Sequence, residues 1–520
     1  MLFSSITFLY IFLPVVILFC TFSPKVALIR NILLLLLSLF FYAWGEPVYV
    51  FLMLAEIAAE YILTYFIDRY RTKWQGKLCF TLSVIIPFII LFYYKYFGFF
   101  VNNLVKLVTY SGVEIVSKDI LDNFHKMNII MPIGISFYTF QLVSYCVDVY
   151  RKSVERQKNI ITFATYVVLF PQLVAGPIVR YHDVEAGLTR DALKPELALA
   201  LINPLEKLLK MQPGIVRFTT GLAKKVLIAN VLGELVNEAG LIPDRGIVLS
   251  WIYAFAVSLQ IYFDFSGYSD MAIGLGTMLG FDFPENFRYP FTSKSISEFW
   301  RRWHITLGAW FRDYVYIPLG GNRVNFGRWI FNVLMVWFFT GLWHGAAWNF
   351  IIWGLYFAVF LVLEKLFWLF KKNVNELTVK TASKKNEGAG KLLCNILCHA
   401  YVVFVIMISF LIFHNTDMSV FMKDFASLFD FSANEASKPL TDFIIRNRIG
   451  ILIIAIIGAT PLPLKVIKYI MDKLFYKGNN NDNVNVAAQV IKAVYVIVLL
   501  VICTAYIIDG SFNPFLYFRF

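Results

Sequence analysis

Long apolar runs separated by short polar punctuation dominate this chain. Runs suited to crossing a hydrocarbon core of about 30 Å occupy residues 2–22, 31–45, 48–66, 78–94, 128–147, 223–236, 248–263, 329–340, 350–370, 395–413, 450–464 and 493–508. Helices and closed barrels alone satisfy their backbone inside lipid. The pattern predicts an all-α polytopic membrane protein with about 11–13 transmembrane helices. Composition agrees: hydrophobic residues make up 59% and charged residues only 16%, against about 25% charged in soluble domains. Mean hydropathy is +0.66. Residues 1–24 carry no charged side chain, so they lack the basic start of a signal peptide and read as a retained first helix.

Some stretches break the pattern of simple spans. Residues 161–179 place Pro171, Gly176 and Pro177 in apolar sequence between basic loops; a segment that dips into the membrane and returns to the same face meets those constraints. Residues 293–310 mix Trp300, Trp303 and Trp310 with Glu298, Arg301 and Arg302. That mixture predicts an interfacial or re-entrant helix, with tryptophans at headgroup depth and arginines facing water or phosphate. Residues 371–390 read as a polar, flexible cytoplasmic linker and 478–483 (GNNNDN) as a turn. Internal repeats are not evident, which weighs against a transporter built on inverted halves.

The net charge of +13 is distributed as topology rather than as a nucleic-acid surface. Basic residues cluster at 148–158, 371–391 and 465–477, whereas the connection 238–246 carries Glu238, Asp244 and Arg245. The positive-inside rule puts the three basic loops in the cytoplasm and both termini outside. No aromatic–basic interleaving calls for DNA or RNA. Six cysteines lie scattered in apolar sequence without metal-ligand spacing, and read mainly as small buried hydrophobes.

His344 is the chemical outlier. It sits in GLWHGAAW (341–348), inside sequence free of charge from Trp329 to Leu363. Such a ring must be buried in protein or line a wet cavity, because lipid exposure costs several kcal/mol. Two readings stand: a hydrogen-bonded core histidine, or a general base, for which neutral imidazole is well matched near pH 7. At about 1.5 Å per residue, Arg328 to His344 spans about 24 Å, which places His344 toward the outer side. His304 follows Arg301, Arg302 and Trp303 in a basic inner-face segment, so the two histidines are expected at different depths of one cavity. Arg301, Arg302, Arg312, Arg323 and Arg328 with Lys294 form an inner basic cluster, suited to anionic lipid or to a donor's phosphates. Asp313 reads as a local partner of Arg312 or as a histidine-orienting carboxylate. YFDFSGYSD (262–270) reads as a loop–helix junction bracing the cavity, and Glu56 and Glu60 as an intramembrane pair turned to protein. Hydrolase, nucleotide-triphosphatase and dinucleotide signatures are absent.

Taken in order, MPIGISFY (131–138), FPQLVAGP (170–177), YFDFSGYSD (262–270), EFWRRWH (298–304), FRDY (311–314), LGGNR (319–323) and GLWHG (341–345) resemble the membrane-bound O-acyltransferase family. The likeness is strongest to its polysaccharide-acetylating branch and thins after about Lys371. Each motif alone is weak; the ordered set is specific. The resemblance implies that His344 is the family's essential histidine and His304 its second polar position. It implies a helical funnel pierced by a tunnel, with residues 1–370 as catalytic core, 371–394 as basic linker and 395–520 as C-terminal helices. It further implies acetyl-CoA as cytoplasmic donor, its phosphates near Arg301, Arg302, Arg312 and Asp313, with no bound metal or cofactor. A secreted or membrane-anchored partner subunit would complete transfer to an extracellular or cell-wall polysaccharide, alginate-like or peptidoglycan, at the cell membrane. Two rivals are D-alanyl transfer from a carrier protein toward teichoic acid, and a multispanning polysaccharide transporter.

Overall fold

The computed structural model describes residues 1–22, 26–110, 129–189, 204–242, 244–378, 387–431, 438–475 and 482–510. Regular structure among them is helical throughout. The helices needed below are α1 (Ala27–Ala43), α2 (Tyr49–Tyr70), α3 (Trp74–Leu91), α4 (Ile135–Arg151), α5 (Ile160–Val168), α6 (Pro204–Ala223), α7 (Gly246–Met278), α8 (Ile305–Phe311), α9 (Phe326–His344), α10 (Trp348–Thr378), α11 (Glu387–His414) and α12 (Lys438–Gly458). Helix α3 runs on through a π-turn, Phe92–Tyr96, into Phe97–Tyr110.

Among the described residues, six helices are long and apolar enough to cross a membrane, or seven if the pair Lys438–Gly458 and Leu462–Ile470, bent by 74°, is one span. The protein is an all-α polytopic membrane protein. Length and composition alone thus support fewer crossings than the runs of apolar sequence suggest. The reason is visible in α4: only 17 residues long and buried on nearly every side, it carries Ser136, Thr139, Gln141, Ser144 and Asp148. A helix enclosed by other helices has no lipid to match, so its apolar character is diluted.

Two pairs of glycines fix the longest contact. Gly214 and Gly221 on α6, seven residues apart, face Gly274 and Gly267 on α7, also seven apart. A Cβ at Gly221 would stand 2.6 Å from the Gly267 carbonyl oxygen, and one at Gly214 2.5 Å from that of Gly274. The two antiparallel backbones therefore touch at successive levels, as small residues permit in membranes. YFDFSGYSD lies inside α7, not at the loop–helix junction expected. The 33 residues of α7 contain no proline, and the close packing offsets the roughly 1 kcal/mol that each internal glycine costs. Its two carboxylates are split between adjacent lysines on the π-turn Lys224–Ala229. Lys225 Nζ lies 2.6 Å from Asp264, with both side chains buried, and Lys224 Nζ lies 2.6 Å from Asp270. Arg217 joins Asp270 at 2.8 Å and Glu285 at 2.5 Å.

The segment 161–179, expected to be re-entrant, folds as a short helical hairpin buried within the protein. Helix α5 has nine residues, about 13 Å at 1.5 Å per residue, and stops at Leu169. A four-residue helix, Phe170–Leu173, follows with proline in its first turn, where the missing N–H costs nothing. The two ends then meet: Gln157 Nε2 donates to the Tyr181 hydroxyl at 2.8 Å. Within the hairpin, the Thr165 hydroxyl donates to Asn31 O at 3.0 Å, Phe170 N–H to Ser38 Oγ at 3.2 Å, and Ile178 N–H to Thr306 Oγ1 at 2.9 Å.

Other expectations change. Trp303 and Trp310 are core residues, not headgroup anchors. Trp310 stacks on Phe140 with centroids 3.7 Å apart, and Trp303 stacks on Phe299 at 5.5 Å. The arginines beside them suggested an interface, but two short helices, Ile296–Trp300 and α8, carry that segment inward. The polar 371–390 segment is helical to Thr378 and again from Glu387; residues 379–386, like most of the GNNNDN turn, lie outside the described residues. Cys146 and Cys503 are buried, whereas Cys394 is exposed. Glu56 and Glu60 do face protein: they accept from the Tyr138 hydroxyl at 3.3 Å and the Ser83 hydroxyl at 2.5 Å.

Candidate functional site

The site is built where α9 meets α10. These helices cross at glycines: a Cβ at Gly341 would fall 2.3 Å from the Phe350 carbonyl oxygen, and one at Gly354 2.2 Å from that of Trp337. His344 is the last residue of α9, and the backbone turns extended at Gly345. The Phe350 ring occupies the space where a Gly345 side chain would be. His344 is thus held at a helix end and is only 6% exposed. Aromatic rings wall it edge-on, with centroids at 4.9 Å for Trp353, 5.0 Å for Trp343 and 5.3 Å for Phe413.

His304 arrives from a different direction. It caps α8 in the left-handed region, φ 43° and ψ 53°, and is fully buried. Such a backbone is costly for a non-glycine residue, by about 1–3 kcal/mol, and persists only where its surroundings enforce it. Asn286 provides much of that enforcement. Its Oδ1 lies 3.1 Å from His304 Nδ1, 2.9 Å from the Thr306 hydroxyl and 3.4 Å from Thr306 N. Ile305 N–H also donates to Asn286 O at 3.0 Å. A backbone N–H can only donate, so the atom it meets is the amide oxygen, and His304 Nδ1 must be the protonated nitrogen. That leaves Nε2 with its lone pair, buried and without a hydrogen-bond partner. The amide's Nδ2 donates to Ser269 on α7 at 3.1 Å, tying the ring to the longest helix.

The two imidazole centroids stand 6.5 Å apart. His304 and His344 are therefore near neighbours rather than residues at separate depths. The charge-based reading failed because it placed His304 by Arg301 and Arg302, while the left-handed turn at His304 sends its ring into the core. Phe265 from α7 closes the chamber at 4.7 Å from the His304 ring. Two imidazoles lie side by side among aromatic rings, an arrangement able to accept and return a proton or to hold a hydroxyl in line. Among the described residues, no three histidine, cysteine, aspartate or glutamate side chains gather as a metal-ligand set.

The arginines named from sequence fall into two groups. Arg301 is exposed, and Arg302 pairs with Glu298 at 2.6 Å. Arg312, 62% exposed, pairs with Asp313 at 2.7 Å, and Arg180 reaches the same carboxylate at 2.8 Å. Partial burial works against the Asp313 charge, but hydrogen bonds from Arg312 and Arg180 hold its carboxyl below the usual range. Asp313 is a local partner of arginines rather than the orienter of His304 or His344; Asn286 fills that place at His304. Arg151 and Arg180 flank the Tyr314 ring at 5.7 and 5.3 Å, and the Tyr314 hydroxyl donates to Asp148 at 2.8 Å. Sequence reasoning missed Asn286, Arg180 and Lys95. Of these only Lys95 was signalled, as the one charged side chain between Leu78 and Val105.

A model of the membrane-bound O-acyltransferase family matches residues 150–410. That stretch holds α5 to α10, with both histidines. The chain is 37% identical over 432 residues to "Probable alginate O-acetylase AlgI" of Azotobacter vinelandii, covering 83% of this chain and 78% of that protein. It is 32% identical over 398 residues to the peptidoglycan O-acetyltransferase of Helicobacter pylori, covering 71% of each. Similarity to the teichoic acid D-alanyltransferase of Bacillus subtilis is 30% over 253 residues, 46% of this chain and 60% of that one. The expected family is thereby shown: this chain belongs to the membrane-bound O-acyltransferases and is a multi-pass O-acyltransferase.

Proposed function

We propose that the protein moves acetyl groups from cytoplasmic acetyl-CoA across the cell membrane for O-acetylation of an extracellular or cell-wall polysaccharide. The observation that carries the chemistry is the pair of imidazoles 6.5 Å apart in an aromatic chamber. In this reading His344 is the general base. The acceptor's O–H bond breaks as the proton passes to the imidazole, and the oxygen bonds the thioester carbonyl carbon. Collapse of the tetrahedral adduct breaks the C–S bond, and the imidazolium returns the proton to sulfur, leaving the ester and free CoA. His304 Nε2, held as an acceptor by Asn286, orients the incoming hydroxyl. Arg301, Arg302 and Arg312, the last oriented by Asp313, draw the donor's phosphates in from the cytoplasm. A secreted or membrane-anchored partner subunit passes the acetyl group on to the polymer. Two acetyltransferases among the relatives, named for alginate and for peptidoglycan, support a polysaccharide acceptor.

The D-alanyl reading has a weaker basis, since its relatives are 28–30% identical over 46–54% of this chain, against 37% over 83% for the alginate relative. Membership of an O-acyltransferase family leaves the transporter reading without support. The test uses the purified chain in vesicles, with acetyl-labelled acetyl-CoA outside and a glycan with its partner subunit inside. Label on the lumenal glycan with free CoA outside is the expected result. Transfer supported only by a D-alanyl carrier protein would establish the rival, and passage of intact donor would end the acyltransfer reading.

Asn286→Ala frees the His304 ring and should lower transfer by about 10- to 100-fold, the usual effect of losing an orienting partner. Asn286→Asp, which keeps the acceptor oxygen, should recover part of it. Steady-state rates of both variants check this, and an undiminished rate in Asn286→Ala would remove His304 orientation from the mechanism.

A further inference from the structure

The strongest unassigned feature is a lysine inside a membrane helix. Lys95 belongs to the apolar stretch Trp74–Val108. It stands 13 residues from the nearer end of that helix, and a lysine in such a stretch either reaches toward water or takes partners within the protein. Its ammonium is consumed by the end of α9. Lys95 Nζ lies 2.6 Å from Trp343 O, 3.4 Å from His344 O and 3.2 Å from the Ser136 hydroxyl. The next residue, Tyr96, donates its hydroxyl to Leu342 O at 2.9 Å. Consecutive side chains of one π-turn thus take three consecutive carbonyls that a helix terminus leaves without intrahelical partners. A positive charge at the negative end of a helix is favourable, the more so away from water. The same ammonium lies 5.9 Å from the Trp343 ring centroid, and that ring also lines the His344 chamber.

We infer that Lys95 and Tyr96 are positioning residues for the reaction: they clamp the last turn of α9 and thereby fix the direction of the His344 ring. The clamp is needed because α9 stops at His344 and the chain leaves extended at Gly345. Without it, the last turn of α9 would lose the donors that hold these three carbonyls and would be freer to fray. The inference rests on the reading of His344 as general base for its effect on rate, but not for its effect on geometry.

The test measures both in the full-length chain in lipid nanodiscs. Lys95→Met, Lys95→Arg and Tyr96→Phe are compared with wild type by mass-spectrometric carbethoxylation of His344 and His304, and by kcat and KM. Lys95→Met should speed modification of His344 several-fold with little change at His304, and lower kcat by about 10- to 100-fold at nearly unchanged KM. Lys95→Arg should restore part of both, and Tyr96→Phe, which deletes one hydroxyl, should move both in the same direction by less. If Lys95→Met does not reach the membrane folded, Tyr96→Phe carries the test alone. Faster modification at an unchanged kcat would uphold the clamp and overturn His344 as base. Wild-type modification of His344 in both Lys95→Met and Tyr96→Phe would overturn the clamp, whatever the rate.

Discussion

His344→Ala should lower acyl transfer by at least about 10²-fold, while the protein still inserts and runs as a single species. That magnitude is typical of a missing general base. Alanine also leaves a void among Trp343, Trp353 and Phe413, so a second variant is needed. His344→Gln nearly retains the volume and the hydrogen-bonding capacity without a titratable nitrogen, and should be equally inactive. Rates with saturating acetyl donor separate the two explanations: recovery in His344→Gln would mean that the imidazole is a packing element. His304→Ala should cost less than either, because in the proposed mechanism its Nε2 orients rather than transfers. Equal losses at both histidines would point to a joint role instead.

The second large effect is on stability. Lys225 and Asp264 are 3% and 4% exposed and 2.6 Å apart. Removing one partner takes from the other its buried counter-charge, a change that typically costs about 3–5 kcal/mol. Asp264→Leu or Lys225→Met alone should therefore lower the detergent thermal midpoint steeply or prevent folding. The double variant replaces the pair with apolar side chains of similar bulk and should recover most of the loss. Recovery is the decisive observation. A double variant as unstable as the singles would mean that the pair is wanted for something other than mutual neutralisation. Asp270, shared between Arg217 and Lys224, should respond less to loss of either cation, since one always remains.

Some of this was legible in the amino-acid string because the physics is local. Proline and glycine between basic loops marked the hairpin at 161–179, and glycines on both sides of an isolated histidine marked His344. The burial of Glu56 and Glu60 followed from charge in an apolar run. What was illegible depends on distant partners. Lys95 meets Trp343 from 248 residues away, and nothing in its neighbourhood names that partner. Asn286 is one amide among many until His304 is brought against it. The tryptophans at 303 and 310 read as interfacial because arginine and tryptophan side by side suit a headgroup layer equally well. The continuity of α7 was hidden for the opposite reason: its glycines look like breaks until α6 is laid against them.

The hairpin closed at Gln157 and Tyr181 has a consequence for the order in which the chain is made. Its inner backbone is satisfied by Ser38, already synthesised, but also by Thr306, which follows Ile178 by 128 positions. Until that threonine leaves the ribosome, the Ile178 N–H has no partner there, and lipid offers none. The hairpin's full set of hydrogen bonds is therefore complete only when the His304 turn arrives. Hairpin and histidine are then locked by one hydroxyl, so the chamber cannot close before most of the polypeptide exists.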